Sequence, residues 1–96
     1  AHRMNFLDIF NIVVRAVKPM HMEMTFATAM DQVLDDIGID SLDGLMMMVY
    51  IGDIYGIDDE VSKDFHPRTV QQVYDFIQIH KTKEPQSLDE LEEAVK

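Results

Sequence analysis

The run Asp36-Ile37-Gly38-Ile39-Asp40-Ser41-Leu42-Asp43 is the part of this sequence best equipped for chemistry. Asp40 is placed to cap a helix beginning at Ser41, with Asp43 at its third position. A serine there holds its hydroxyl beside unpaired backbone N–H groups, at the positive end of the helix macrodipole. A phosphate ester on the Ser41 oxygen would sit where helix termini favour anions. The flanking carboxylates oppose such an ester and at the same time offer a recognition surface to a basic partner. Taken alone, a serine after a capping aspartate is ordinary capping chemistry, so the surroundings have to decide.

Other chemistries lack their parts. The chain has no cysteine, which removes disulfides, thiolate metal sites and a cysteine nucleophile. His2, His21, His66 and His80 lie in separate segments without metal-ligand spacing, so no metal is expected. A calcium loop opening at Asp35 would need a bidentate glutamate where Met46 stands. As a hydrolytic nucleophile Ser41 lacks both a strand–turn–helix setting and an identifiable base.

Charge narrows the partners. The 96 residues hold 8 Lys+Arg against 18 Asp+Glu, a formal charge of −10, with 47% of residues apolar. That length gives one small domain, and that apolar content gives it a core. Nine of the acids fall between Asp31 and Glu60, a window without Lys or Arg, so this stretch carries −9 and the rest of the chain −1. Nucleic acid is not an expected ligand, because the bases are scattered rather than gathered into a stripe. An anionic membrane surface would repel the acidic window. No apolar run approaches the ~18 residues of a membrane span, so no membrane insertion is expected. With neither cysteines nor a leader pattern the expected compartment is the cytoplasm. Ala1-His2-Arg3 reads as a remnant ahead of a natural start at Met4.

The elements that must position Ser41 follow from periodicity and caps. Phe6, Ile9, Phe10, Val13 and Val17 form a helical stripe capped by Asn5, with Asp8 at the third position, a Met4–Ile9 staple and a stop at Pro19. A methionine-rich connection, 20–39, follows; Thr28 with Asp31 is placed to start a short helical turn that carries Val33, Leu34 and Ile37 inward. The second helix runs from Ser41 to about Tyr55 and is stopped by a left-handed Gly56. It is apolar almost all round, and Met46, Met47 and Met48 span ~200° of it, so they cannot all point inward. Asp58 or Asp59 opens a short helix reaching Phe65. Thr69-Val70-Gln71-Gln72 is a capping box for a last core helix to about His80. Phe6, Phe10, Phe65, Tyr74 and Phe76 are expected in the core, and Tyr50 and Tyr55 are candidates to line an apolar pocket. Ser87-Leu88-Asp89-Glu90 opens a marginal acidic segment with Leu88, Leu91 and Val95 on one side. The expected fold is all-α, a small four-helix bundle of three main helices plus one short one.

Asp40-Ser41-Leu42-Asp43, with Gly38 before it, the Gly56 stop and the Thr69-Val70 opening of the last helix, resembles the acyl carrier protein family over about Asn5 to His80. The resemblance implies an acyl-carrier-like domain over residues 4–81; the shift in composition after Lys81 makes 82–96 an expected acidic tail able to form a short docking helix. It implies a non-catalytic carrier, not an enzyme. In that family a phosphopantetheinyl transferase moves 4′-phosphopantetheine from coenzyme A to the motif serine, here Ser41, and acyl groups ride on its thiol as thioesters. The implied setting is fatty-acid, lipid or polyketide-type biosynthesis. The implied partners are that transferase and enzymes of the acyl-ACP synthetase, ketosynthase or acyltransferase type, meeting a monomer.

Partner recognition is expected at Asp40, Leu42, Asp43, Leu45, Met46, Val49 and Asp53. An acyl-chain pocket between the second and third helices is expected at Met48, Ile54, Ile57 and Phe65. Many family members have glutamates where this chain has Met46 and Gly52. With the methionine-rich connection, this points to a carrier dedicated to one pathway, with an apolar, adaptable docking strip. The alternative from another class is an acidic interaction module of the same fold that is never modified.

Overall fold

A computed structural model of the chain describes residues 5–17, 27–86, 90, 91 and 93. Helix α1 (Phe6–Val17) begins where the Asn5 side-chain oxygen accepts the Asp8 amide at 2.9 Å. This is the N-cap its sequence encodes. Ile9, Phe10, Val13 and Val14 are its buried face. Met4, Pro19 and 20–26 lie outside the described residues, and with them the expected staple, the α1 stop and most of the methionine-rich connection. Where the chain is described again, Asn11 clamps it to α1. Asn11 Nδ2 donates to the Ala27 carbonyl, and Asn11 Oδ1 accepts the Ala27 amide, both at 2.9 Å. One half-buried amide side chain thus satisfies both backbone groups of a buried residue.

The turn expected to open at Thr28 comes later. The Thr28 amide donates instead to Gln32 Oε1 at 2.8 Å, and a 3₁₀ turn forms at Leu34–Ile37. Leu34 and Ile37 are buried as expected, but Val33 is exposed. Val33 stands just outside the turn in extended conformation and forms an isolated antiparallel bridge with Thr69. Around that bridge the Leu34 amide donates to the Arg68 carbonyl at 2.8 Å, and the Val70 and Gln71 amides donate to Gln32 and Met30 carbonyls at 3.1 and 2.7 Å. The last two pairs satisfy N–H groups that a helix start leaves without intrahelical partners.

Left-handed Gly38 closes the 3₁₀ turn, and α2 (Ser41–Tyr55) follows. The C-terminal end of α2 is shut tightly. Gly56 takes φ 64°, where a Cβ would run into the Thr82 hydroxyl. A Cβ on Gly52 would lie 3.0 Å from the Ile57 carbonyl, so the buried glycine lets the chain turn back across the helix. Helix α3 (Asp59–Ser62) is capped by Asp58, whose Oδ1 accepts the Glu60 amide at 3.1 Å. It ends before Phe65, shorter than expected; from Ser62 the chain turns, with the Phe65 amide on the Ser62 carbonyl at 3.0 Å. Helix α4 (Val70–His80) carries the full Thr69–Gln72 capping box and buries Val70, Val73 and Ile77.

Helix α1 packs on α2, and α2 on α3. Met47, Ile51, Phe10, Val73 and Ile77 form the centre of the core. Phe6 meets Tyr74 edge-on at 5.1 Å between ring centroids, joining the rim of α1 to α4. Beyond α4, the Thr82 and Lys83 amides both donate to the Tyr55 carbonyl, at 2.9 and 3.2 Å. Leu91 is buried in the core, while Leu88, Val95 and residues 87–89 lie outside the described residues. Among the described residues the chain is all-α, with four α-helices and one 3₁₀ turn between Phe6 and His80 and with Glu90, Leu91 and Glu93 also helical, a small helical bundle without strands.

Candidate functional site

Ser41 is the first residue of α2 and is exposed. Its position is fixed from both sides. Asp40, in extended conformation, accepts the Asp43 amide on Oδ1 at 2.9 Å, and Asp43 Oδ2 accepts the Asp40 amide at 3.3 Å. The Asp40 carbonyl then takes the Gly44 amide at 2.8 Å. On the N-terminal side, buried Ile37 and Ile39 straddle Gly38 and hold the approach to the helix against the core. Ser41 thus stands exposed at a helix start held by a full capping box.

Beside it opens a cavity of about 440 Å³. Its lining comes from three segments, the first being the helix start and its approach, Ile39, Asp40, Ser41, Gly44 and Leu45. Val33-Leu34-Asp35 is the second segment, and the α3–α4 connection, Phe65 to Arg68, is the third. The backbone bond from Leu34 to Arg68 ties the second segment to the third. Phe65 is held from behind by Phe76 of α4, with rings nearly parallel and centroids 4.0 Å apart. The cavity therefore has apolar walls of Val33, Leu34, Ile39, Leu45, Phe65 and Pro67, with a charged rim. Asp35 and Asp40 supply negative charge to the rim, and Arg68 supplies positive charge. A site of this volume, mostly apolar with a few polar groups, suits a small organic ligand.

Of the four residues expected to line an acyl pocket, only Phe65 lines this cavity. Met48, Ile54 and Ile57 are buried in the core, and Tyr55 with them; Tyr50 is half-buried. An all-apolar helix gives no signal for which of its faces is packed and which is left open. Sequence reasoning missed Val33, Pro67 and Arg68 as neighbours of Ser41. The signal within reach was the Thr69 capping box, which places Arg68 just ahead of a helix start, but nothing local pairs that start with Val33.

The residues expected to meet partners are largely outward. Leu42, Leu45, Met46 and Val49, spaced i, i+3, i+4, i+7, form one exposed apolar stripe along α2, with Leu42 68% exposed. Met47 and Met48 are buried, so one of the three consecutive methionines faces out. Asp40 and Asp53 are exposed beyond the two ends of the stripe, and Asp43 is half-buried by its capping role.

Burial first, then the Glu84 carboxylate and Tyr74, push the Tyr55 hydroxyl from its ordinary 10 up to about 12. It is neutral at physiological pH and serves packing rather than proton transfer. Among the described residues no three His, Asp or Glu side chains are grouped to hold a metal ion. No helix among them is long and apolar enough to cross a membrane. Neither a family model, nor a curated protein, nor a solved structure matches the chain.

Proposed function

We propose that this chain is an acyl carrier protein, holding acyl intermediates on a 4′-phosphopantetheine arm attached to Ser41. The observation that carries the reading is one juxtaposition. An exposed serine hydroxyl on the first residue of a doubly capped helix opens onto an apolar-walled cavity of about 440 Å³. The residues fit such a group: the Ser41 oxygen is accessible for attachment, and the cavity beside it gives an attached chain somewhere to lie. The arm supplies a thiol, which this cysteine-free chain otherwise lacks.

Attachment takes place in the transferase. The Ser41 oxygen attacks the β-phosphorus of coenzyme A, the bond from that phosphorus to the bridging oxygen breaks, and adenosine 3′,5′-bisphosphate leaves. The serine proton passes to a base of the transferase, which also provides the metal. Asp40 and Asp43 hold the helix start still for this encounter, and the acidic window between Asp31 and Glu60 attracts basic partner surfaces. The stripe Leu42, Leu45, Met46 and Val49 docks the enzymes that load and unload the arm, in a fatty-acid, lipid or polyketide-type pathway to which the chain is dedicated. The exposed stripe also suits the second reading, an unmodified interaction module.

Intact-mass spectrometry after incubation with coenzyme A and a broad-specificity transferase separates the two. A gain of one phosphopantetheinyl group that disappears in Ser41→Ala is the expected result. No gain with several transferases overturns the carrier reading in favour of the module.

A further inference from the structure

The charge around Ser41 sets a requirement that a distant part of the chain meets. A phosphate ester on the Ser41 oxygen adds an anion to a helix start that already holds Asp40 and Asp43, with Asp35 on the same cavity. Like charges crowded at such distances disfavour one another, and a nearby cation offsets this. No lysine or arginine lies between Asp31 and Glu60 to do so.

The fold brings the cation from the α3–α4 connection. Arg68 lines the same cavity as Ser41. Its backbone is fixed, with its amide on Gln72 Oε1 at 2.6 Å and its carbonyl accepting the Leu34 amide at 2.8 Å. Its side chain is exposed and forms no ion pair among the described residues, whereas Lys63 and Lys81 are paired with Glu60 and Glu84. In a chain with 18 Asp+Glu, an arginine that shares its cavity with Asp35 and Asp40 yet forms no ion pair among the described residues can turn its side chain to a ligand anion. Its planar fork of donors matches two oxygens of a phosphodiester.

We propose that Arg68 binds the phosphodiester formed on Ser41 and so holds the arm across the cavity, against the Phe65–Pro67 wall. Arg68 is thus a positioning residue, acting on the linkage rather than on the thiol. The inference rests on the carrier reading and assigns that site its counter-cation. Because the contact is exposed, salt weakens it.

The test uses the full chain in unmodified and mass-verified modified forms, for the wild type, Arg68→Lys and Arg68→Gln. The chain has three arginines, so the Nε–Hε resonance missing from Arg68→Gln assigns the Arg68 signal. The expected result is a shift of that signal on modification of the wild type. The phosphorus resonance of the modified wild type should also differ from that of modified Arg68→Gln at low salt and converge with it at high salt. Arg68→Lys, keeping the charge but losing the fork, is expected to fall between the two. An Arg68 signal unmoved by modification, together with the same phosphorus resonance in wild type and Arg68→Gln, overturns the contact and leaves the carrier reading standing. Failure of the wild type to gain the group overturns both.

Discussion

The two halves of α2 are built from similar side chains and end in opposite surroundings. In the first, Ser41 to Met46, no residue is buried, and Leu42, Leu45 and Met46 face out. In the second, Met47 to Tyr55, six residues are buried, and only Val49 and Asp53 are exposed. The difference lies in what the rest of the chain brings to each half. The second half is closed by Ile57 folding back on Gly52 and by Thr82 and Lys83 on the Tyr55 carbonyl. The first half meets the cavity. One apolar helix thus serves as a structural post at one end and as an open, rigidly mounted platform at the other.

Substitutions of similar size should therefore have very different costs in the two halves. The largest effect is expected from Ile51→Ala, which leaves a cavity at a fully buried position and should lower unfolding free energy by about 2–5 kcal/mol in a denaturant titration. Gly56→Ala comes next. The left-handed backbone alone costs about 1–2 kcal/mol for a residue with a Cβ, and contact with the Thr82 hydroxyl adds to it. If a thermal melt finds Gly56→Ala as stable as wild type, the closure of the second half does not hold it together. A smaller effect is expected from pH. Neutral Tyr55 is favoured by the fold, so its contribution is fully present below its ordinary value of 10 and is lost as pH rises toward about 12. Melting temperature should fall through that window, and less so in Tyr55→Phe. The smallest effect belongs to the platform. Leu45→Ser, on the exposed stripe, should change stability by no more than about 0.5 kcal/mol. A loss of several times that would mean the stripe is packed rather than open.

What could be read from the sequence was what short-range chemistry writes. The Asn5 cap, the Asp40–Asp43 box, the Gly56 stop and the Thr69–Gln72 box each involve partners within a few residues, and all four stand in the structure. Val33 faces out rather than in because its extended backbone pairs with Thr69, a partner no local pattern names. Helix α3 stops at Ser62, short of Phe65, whose ring stacks on Phe76 of α4. Ser41 was legible as a special helix start, but its cavity was not, since three separated segments build it. Met48, Ile54 and Ile57 lie in the core rather than on that cavity because the apolar surplus of α2 hides which face other elements cover.

The pairing of Val33 with Thr69 and the binding of Thr82 to Tyr55 and Gly56 place long-range closures at opposite ends of α2. Each joins residues far apart in the chain, so each depends on closing a long loop, which is slow and entropically costly. Neither end of the helix is secured by its own neighbours alone. Opening the chain around Ser41 therefore also means undoing contacts made with distant parts of the chain.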